Sequence, residues 1–501
     1  MNLAHIIDAH PADRVALVSR GRVTTYGTLR DQVAHVRGGL VALGVGDGDR
    51  VALLCSNGRY FVDVYLAALG LGAVAVPLNP TSPAPELVRE IAVAAPSVVV
   101  LDPSVASAWA QVDRAAVPSV RHVVVTEQPV GAAASIAADS TFDDLLHAAP
   151  VDAVEVDPAH LAVLMFTSGT AGAPRAAMLT HGNLLANIEQ SQSTGVDVTG
   201  DDVVYGVLPL HHIFGLNVML GLSLARGATI VLVQRFDPST ALDTIRERGV
   251  TVIPGAPAMW LAFSHFDGAP ADSFVSVRLA LTGAAKMPEE AMRRLLDRFG
   301  LVLSEGYGLT EASPVVTSSA GGPQRIGSVG RVLGGMSVRL VDESGNDALE
   351  GDPGEVWVKG PNVFAGYLDD PEATARVLTE DGWLRTGDIA VSDADGYLYL
   401  VDRAKDLILV SGFNVYPAEV EDVLLSHPAV ADAAVVGVPH PHTGEAVKAF
   451  VVLGPGAAAH EETLVSWCLD HLARYKCPSK VLFVDELPRN PNGKVLRRGL
   501  V

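Results

Sequence analysis

The chain has 501 residues, 49% hydrophobic and 19% charged, a composition that suits more than one folded domain and excludes global disorder. Its 57 acidic residues outnumber 36 basic ones, and the formal charge of −21 argues against nucleic acid or an anionic membrane surface as partner. Cys55, Cys468 and Cys477 carry no disulfide framework and no metal spacing, which fits a reducing cytoplasm.

The first residues, MNLAHIIDAHPADR, show neither the basic start nor the apolar stretch of a secretory signal. The longest apolar run, Val64–Leu78, is too short to span a bilayer and reads as a buried helix entering a strand. Short valine-rich runs then alternate with helix-length segments: RVALLC, AVAVPL, SVVVLD, HVVVTE, LAVLMF, ATIVLV, VTVIPG and VRLALTG. Such alternation predicts βαβ units with buried, largely parallel strands.

Beyond about residue 325 the texture changes to strands joined by Asp/Gly turns, as in SVRLVDESGN and WLRTGDIAVSDADGYLYLVDR. From Ala418 a smaller pattern follows: helix PAEVEDVLLSHP, strands VADAAVVGVP and EAVKAFVVLG, helix EETLVSWCLDHLARY, strand KVLFVDELP. The fold class is therefore α/β. A large N-terminal domain (1–402) has several subdomains of mixed and parallel sheets flanked by helices, with a small β-rich part at 325–402. A small α+β C-terminal domain (403–501) follows a boundary near Asp402–Asp406.

Five stretches carry chemistry-bearing residues. In FTSGTAGAPRAAMLTH (166–181), Thr167, Ser168, Gly169, Thr170 and Gly172 offer hydroxyls and unshielded N–H groups in a strand–loop–helix layout that can wrap a polyphosphate. Taken alone, an ordinary turn explains it equally well. In SEGYGLTEAS (304–313), Tyr307 between two glycines offers a flat face for a purine, and Thr310 and Glu311 suit a phosphate and its hard cation. Asp388 in WLRTGDIA can accept ribose hydroxyls. Arg403 and Lys405 stand at the domain boundary, and Lys494 sits on a Pro/Asn/Gly turn near the C-terminus. Lysine is scarce, seven in all and none before Lys286, so each one is mildly informative.

In this order, with LPLHHIFG, DRAKD and the closing NGK, these motifs resemble the adenylate-forming superfamily: acyl-CoA synthetases, peptide-synthetase adenylation domains and luciferases. The likeness runs essentially end to end. SGFNVYPAEVE and GEVWVKGPNVFAGYL look most like the bacterial fatty-acyl-CoA synthetases. It implies ATP-dependent activation of a carboxylic acid to acyl-AMP with release of pyrophosphate, then transfer to CoA.

By resemblance, Thr167–Thr170, Gly172 and Arg175 grip the β- and γ-phosphates, while Glu311, with Thr170, holds Mg²⁺. Tyr307 stacks on adenine near Glu305 and Gly306; Thr310 contacts the α-phosphate; Asp388 and Arg403 hold the ribose. Lys494 bridges carboxylate and α-phosphate in the first step only. The C-terminal domain is implied to be mobile, swinging about Lys405 to bring Ser411 and Gly412 to the thiol, with His212 gating its tunnel. Trp260, Gly283 and Ala284 match the acyl-pocket wall, whose apolar character argues against malonate and amino acids and leaves a medium- or long-chain fatty acid or an aromatic acid. An acyl-AMP ligase loading a carrier protein, and an oxygenase-like relative, are the alternatives; monomer and homodimer both remain open.

The chain departs from the family's usual TSGTTGxPKG loop at Ala171, Arg175 and Ala176, and has His211 where phenylalanine is common. The lost hydroxyl at Ala171 removes one phosphate donor, worth roughly 0.5–1.5 kcal/mol. Arginine keeps the charge of lysine in a bulkier fork.

Overall fold

The computed structural model describes residues 1–127, 136–167, 174–403, 408–410, 413–440, 444–472, 474–489 and 495–500. The chain divides into two compact units. The first holds Met1–Ile326, Val332–Ser337 and Lys359–Leu384. The second holds Gly327–Arg331, Val338–Val358 and Arg385–Val501. The second unit thus takes in most of the β-rich segment together with the C-terminal residues.

In the first unit the valine-rich runs form parallel strands. One sheet orders Ser140–Thr141, His122–Val125, Val98–Leu101, Arg50–Leu54, Val74–Pro77, Leu161–Thr167 and Arg175–Thr180. Its central strands are buried at every position bar Arg50, as expected of strands covered on both faces. The helix Arg59–Gly70 runs into Val74–Pro77 as anticipated, and no helix among the described residues is long and apolar enough to cross a membrane.

A second sheet orders Arg331–Val332, Val315–Ser318, Leu303–Gly308, Leu279–Thr282, Val252–Gly255, Val203–Gly206, Thr229–Leu232, Val15–Ser19 and Arg22–Thr25. Val315–Ser318 runs antiparallel to Leu303–Gly308, and Arg22–Thr25 to Val15–Ser19. Val15–Ser19 and Val203–Gly206 were not among the expected runs. They join through long-range parallel pairing with Thr229–Leu232. Because Val252–Gly255, Leu279–Thr282 and Leu303–Gly308 are parallel, their carboxyl ends share one edge, where open α/β sheets bind ligands.

One expectation is corrected. The segment after Leu161–Thr167 does not enter a helix directly: Arg175–Thr180 returns as an antiparallel strand, Thr167 opposite Arg175. Ala176, Ala177 and Leu179 are buried and fill that edge of the sheet. The helix His181–Gln190 starts only after Thr180, whose side chain accepts the Asn183 N–H while Asn183 accepts the Thr180 N–H.

The second unit carries a four-stranded sheet ordered Ser337–Val341, Gly354–Lys359, Leu384–Ser392, Leu398–Arg403. Its other sheet orders Phe413–Val415, Ile408–Val410, Gly444–Leu453 and Val430–His440, with Lys480–Phe483 parallel to Gly444–Leu453. The helices Pro417–Leu425 and Glu461–His471 contribute Val420, Leu424, Leu464 and Cys468 to its core.

Candidate active site

Along the strand Leu303–Gly308 burial alternates, so Glu305 and Tyr307 face inward together. They are 5% and 7% exposed, so Tyr307 is packed rather than presented as an open face. Burial pushes the Glu305 carboxyl up to about 7, against the opposing pull of the Met287 N–H and of Lys286. The Met287 N–H reaches Glu305 Oε1 at 3.3 Å, tying the loop that follows the neighbouring strand. Glu305 stands opposite Thr282, whose buried hydroxyl oxygen has no hydrogen-bond partner among the described residues.

Gly308, beside Tyr307, and Gly283, just after the neighbouring strand Leu279–Thr282, have different causes. A Cβ on Gly308 would lie 2.2 Å from the Pro314 carbonyl oxygen, so the returning strand alone requires glycine there. A Cβ on Gly283 would meet nothing closer than the Gly306 carbonyl oxygen at 3.4 Å and the Phe214 ring at 3.6 Å. The protein's own packing therefore tolerates a methyl at Gly283, which leaves a shallow cradle at the sheet's carboxyl edge. Ala284 follows with φ 71°, a left-handed conformation costing roughly 1–2 kcal/mol for a residue with a side chain.

The turn Thr310–Ala312 is clamped by its carbonyls. Phe364 N–H donates to the Glu311 carbonyl at 2.9 Å, Asn362 Nδ2 to that of Ala312 at 2.6 Å, and Asn217 Nδ2 to that of Ser313 at 2.8 Å. Asn362 in turn accepts from Gln190, at the end of the helix His181–Gln190. These amides escaped sequence reasoning because none lies in a motif with obvious chemistry. The Glu311 carboxylate accepts the Tyr367 hydroxyl at 2.6 Å, and its other oxygen has no hydrogen-bond donor among the described residues.

Arg175 is not a free cation. Its Nε donates to Asp370 at 3.2 Å, and its guanidinium lies 5.9 Å from the Tyr367 ring centre. The Ala373 N–H and then Arg175 hold the Asp370 carboxyl below its usual range. Ser168, Gly169, Thr170 and Gly172 lie outside the described residues, as do Lys405, Ser411, Gly412 and Lys494.

The segment leading to His211 and His212 is fixed by buried Asn57, which donates to the Gly206 and Leu208 carbonyls and accepts the Leu210 N–H. Burial pushes both imidazoles down to about 4, so they are neutral at pH 7. His212 Nδ1 accepts the Phe214 N–H at 3.3 Å, which puts its proton on Nε2. The wide π-type helix Phe214–Gly221 follows directly.

Trp260, expected in the acyl-pocket wall, is wholly buried in the hydrophobic core with Phe263 and Phe274. Its indole N–H donates to the Leu281 carbonyl at 3.1 Å, so both the body and the polar edge of the ring are already used.

In the second unit Asp388 lies directly opposite Arg403 in the hairpin register. Thr386 Oγ1 donates to the Val356 carbonyl at 2.7 Å and accepts the Asp388 N–H at 3.1 Å, while Glu355 accepts the Gly387 N–H. Gly387 has φ 71°, so Thr-Gly-Asp forms a fixed turn with a glycine where the backbone demands one.

Residues 3–368 match the family model described as AMP-binding enzyme, and residues 419–494 match that of the AMP-binding enzyme C-terminal domain. A feruloyl-CoA synthase from an Amycolatopsis species is 39% identical over 479 residues, spanning 95% of this chain and 93% of that relative. A long-chain-fatty-acid–CoA ligase of Bacillus subtilis is 35% identical over 513 residues, spanning 98% and 91%. Among solved structures, ATP-bound MatB from Rhodopseudomonas palustris superposes with a TM-score of 0.91 at 32% identity, covering 100% of this chain and 98% of that one. With the carboxyl-edge cradle, the clamped Thr-Glu turn and both domain models in register, the chain belongs to the AMP-binding enzymes, the adenylate-forming superfamily, and is an AMP-forming acid–thiol ligase.

Proposed function

We propose that the enzyme activates a carboxylic acid with ATP and transfers the acyl group to CoA, with a medium- or long-chain fatty acid as substrate. In the first step a carboxylate oxygen attacks the α-phosphorus, the bond to the bridging oxygen of the β-phosphate breaks, and pyrophosphate leaves. In the second the thiol sulfur attacks the acyl carbon, the acyl carbon–oxygen bond of the mixed anhydride breaks, AMP leaves, and the thiol proton passes to solvent. The observation that carries this reading is the cradle at Gly283 beside Gly306, next to a Thr310–Glu311 turn whose carbonyls are all fixed. A turn held in this way fixes the backbone that carries the Thr310 hydroxyl, a preorganised donor of the kind that stabilises charge developing on phosphate oxygens.

On this reading Thr167–Thr170, Gly172 and Arg175 hold the terminal phosphates, and Thr310 the α-phosphate. Glu305, Gly306 and Tyr307 border adenine, and Asp388 with Arg403 takes the ribose. Lys494 serves the first step, and Lys405, Ser411 and Gly412 the rearrangement and the thiol. His212, neutral and a donor at Nε2, borders the thiol's path. The reaction belongs in the reducing cytoplasm, which three free thiols suit.

The donor set fits Mg²⁺ carried in with ATP. Glu311 has one uncommitted carboxylate oxygen, and no group of three or more His, Cys, Asp or Glu among the described residues forms a separate metal cage. Glu311, with Thr170, would hold the ion, which neutralises phosphate charge when bound.

An aromatic acid is the second reading. The Phe214 ring faces the Gly283 cradle, and the feruloyl-CoA relative is the more similar of the two named ligases. Pyrophosphate release with ATP, Mg²⁺ and a panel of acids, with and without CoA, tests the assignment. Highest kcat/KM with C8–C18 acids supports it, and highest with cinnamic or benzoic acids selects the second reading. Release whose acyl product forms only on a carrier protein sinks both.

A further inference from the structure

The segment Gly360–Asp370 overlaps the GEVWVKGPNVFAGYL stretch but has no role in the chemistry assigned above, yet it touches two of the chemistry-bearing motifs within the first unit. Asn183 donates to the Pro361 and Val363 carbonyls, and Asn362 and Phe364 donate to the turn that bears Glu311. Further along, Ala365 N–H donates to Met178, Met178 N–H to Gly366, and Leu368 N–H to Ala176, so the segment pairs with the strand that leaves the phosphate loop. Tyr367 sits where these meet. It is 9% exposed, its N–H donates to Thr374 Oγ1 at 2.9 Å, and its ring packs edge-on against Phe364 with centroids 5.0 Å apart. Its hydroxyl reaches Glu311 Oε1 at 2.6 Å, on the side of the ring system that Arg175 and Asp370 close.

We propose that Tyr367 is a positioning residue for the nucleotide–metal complex, holding one oxygen of Glu311 so that the other stays available to the metal. The same contact ties that carboxylate to the strand leaving the phosphate loop. A carboxylate on a short turn would otherwise sample several rotamers, and a charge-assisted O–H···O⁻ bond from a buried ring removes that freedom. The inference rests on Glu311 as the metal-binding carboxylate.

The test compares wild type, Tyr367→Phe, Glu311→Gln and the double variant as full-length protein. ATP affinity is measured by calorimetry with Mg²⁺ and with EDTA, and thermal midpoints serve as the folding control. Phenylalanine keeps the ring packing and removes only the hydroxyl. Tyr367→Phe is expected to weaken ATP binding with Mg²⁺ by roughly ten-fold, the effect of one hydrogen bond to a charged group. Binding in EDTA should stay within about two-fold, and the hydroxyl's loss should add nothing in the Glu311→Gln background. Equal weakening in EDTA, no weakening with Mg²⁺, or additive losses overturn the role of Tyr367. If Glu311→Gln itself leaves the Mg²⁺ dependence intact, the metal assignment of Glu311 fails instead, and the two failures are told apart.

Discussion

Two glycines at one strand edge separate a ligand-imposed glycine from a packing-imposed one. At Gly283 an added Cβ meets the Gly306 carbonyl oxygen at 3.4 Å and Phe214 at 3.6 Å, ordinary contact distances, and the backbone there is not left-handed. Gly283→Ala should therefore fold as well as wild type or better, by about 0.4–1 kcal/mol through the restricted unfolded chain. At Gly308 the Cβ would stand 2.2 Å from the Pro314 carbonyl oxygen, which must move by more than an ångström; overpacking of that kind costs about 1–3 kcal/mol or more. If the acyl-adenylate rests on the Gly283 cradle, the same harmless methyl displaces it, and a misplacement of about 1 Å can cost on the order of a hundred-fold in rate. The assay pairs thermal midpoints with kcat/KM for pyrophosphate release. The expected pattern is an unchanged midpoint with activity down at least ten-fold for Gly283→Ala, and a lowered midpoint for Gly308→Ala. Wild-type kcat/KM in a stable Gly283→Ala protein would refute the cradle as the reacting ligand's seat.

Two further outcomes follow from the same physics. Lys494→Ala should cut pyrophosphate release by roughly a hundred-fold or more, as removal of a transition-state donor does, while transfer from supplied acyl-AMP to CoA stays within about three-fold; equal loss in both half-reactions contradicts a role confined to the first. Asp63 is wholly buried with neither oxygen hydrogen-bonded among the described residues, and burial raises its carboxyl from 3.8 to about 7. The folded state thus keeps a proton that the unfolded state has lost, so this group's contribution is most favourable below pH 4 and declines as pH rises to 7. Asp63→Asn should raise the thermal midpoint more at pH 8 than at pH 5, and an equal gain at both would show that the carboxyl is not held neutral.

Much of the architecture was legible because buried parallel strands leave a strong mark. Each valine run with both faces covered reads as a strand without knowledge of its partners, and the Asp/Gly turns announced the hairpins of the second unit. Other strands escaped. Val15–Ser19 and Val203–Gly206 take their place by parallel pairing with Thr229–Leu232, a contact roughly two hundred residues away from the first of them, and Leu303–Gly308 carries a glutamate and two glycines that read as a turn. The strand Arg175–Thr180 was missed because two adjacent alanines have little strand preference of their own, and burial against the sheet overrides it.

The candidate site divides along the same line. A motif displays residue types suited to chemistry, so Thr310, Glu311 and Asp388 were legible as candidates, though only in the company of the other motifs. It cannot display what holds them, because a buried amide works by where the fold delivers it. Asn217 is 96 residues from the Ser313 carbonyl it fixes, Asn362 is 50 from that of Ala312, and Tyr367 is 56 from Glu311. All three bond the same four-residue turn, so their effects converge on one element although their sequence positions share nothing. Trp260, matched to a pocket wall by resemblance, has its indole N–H engaged by the Leu281 carbonyl within the core, a contact from another strand that no motif displays. On the turn held by three amide donors, the second oxygen of Glu311 has no hydrogen-bond donor among the described residues, and it is the group we propose for a ligand.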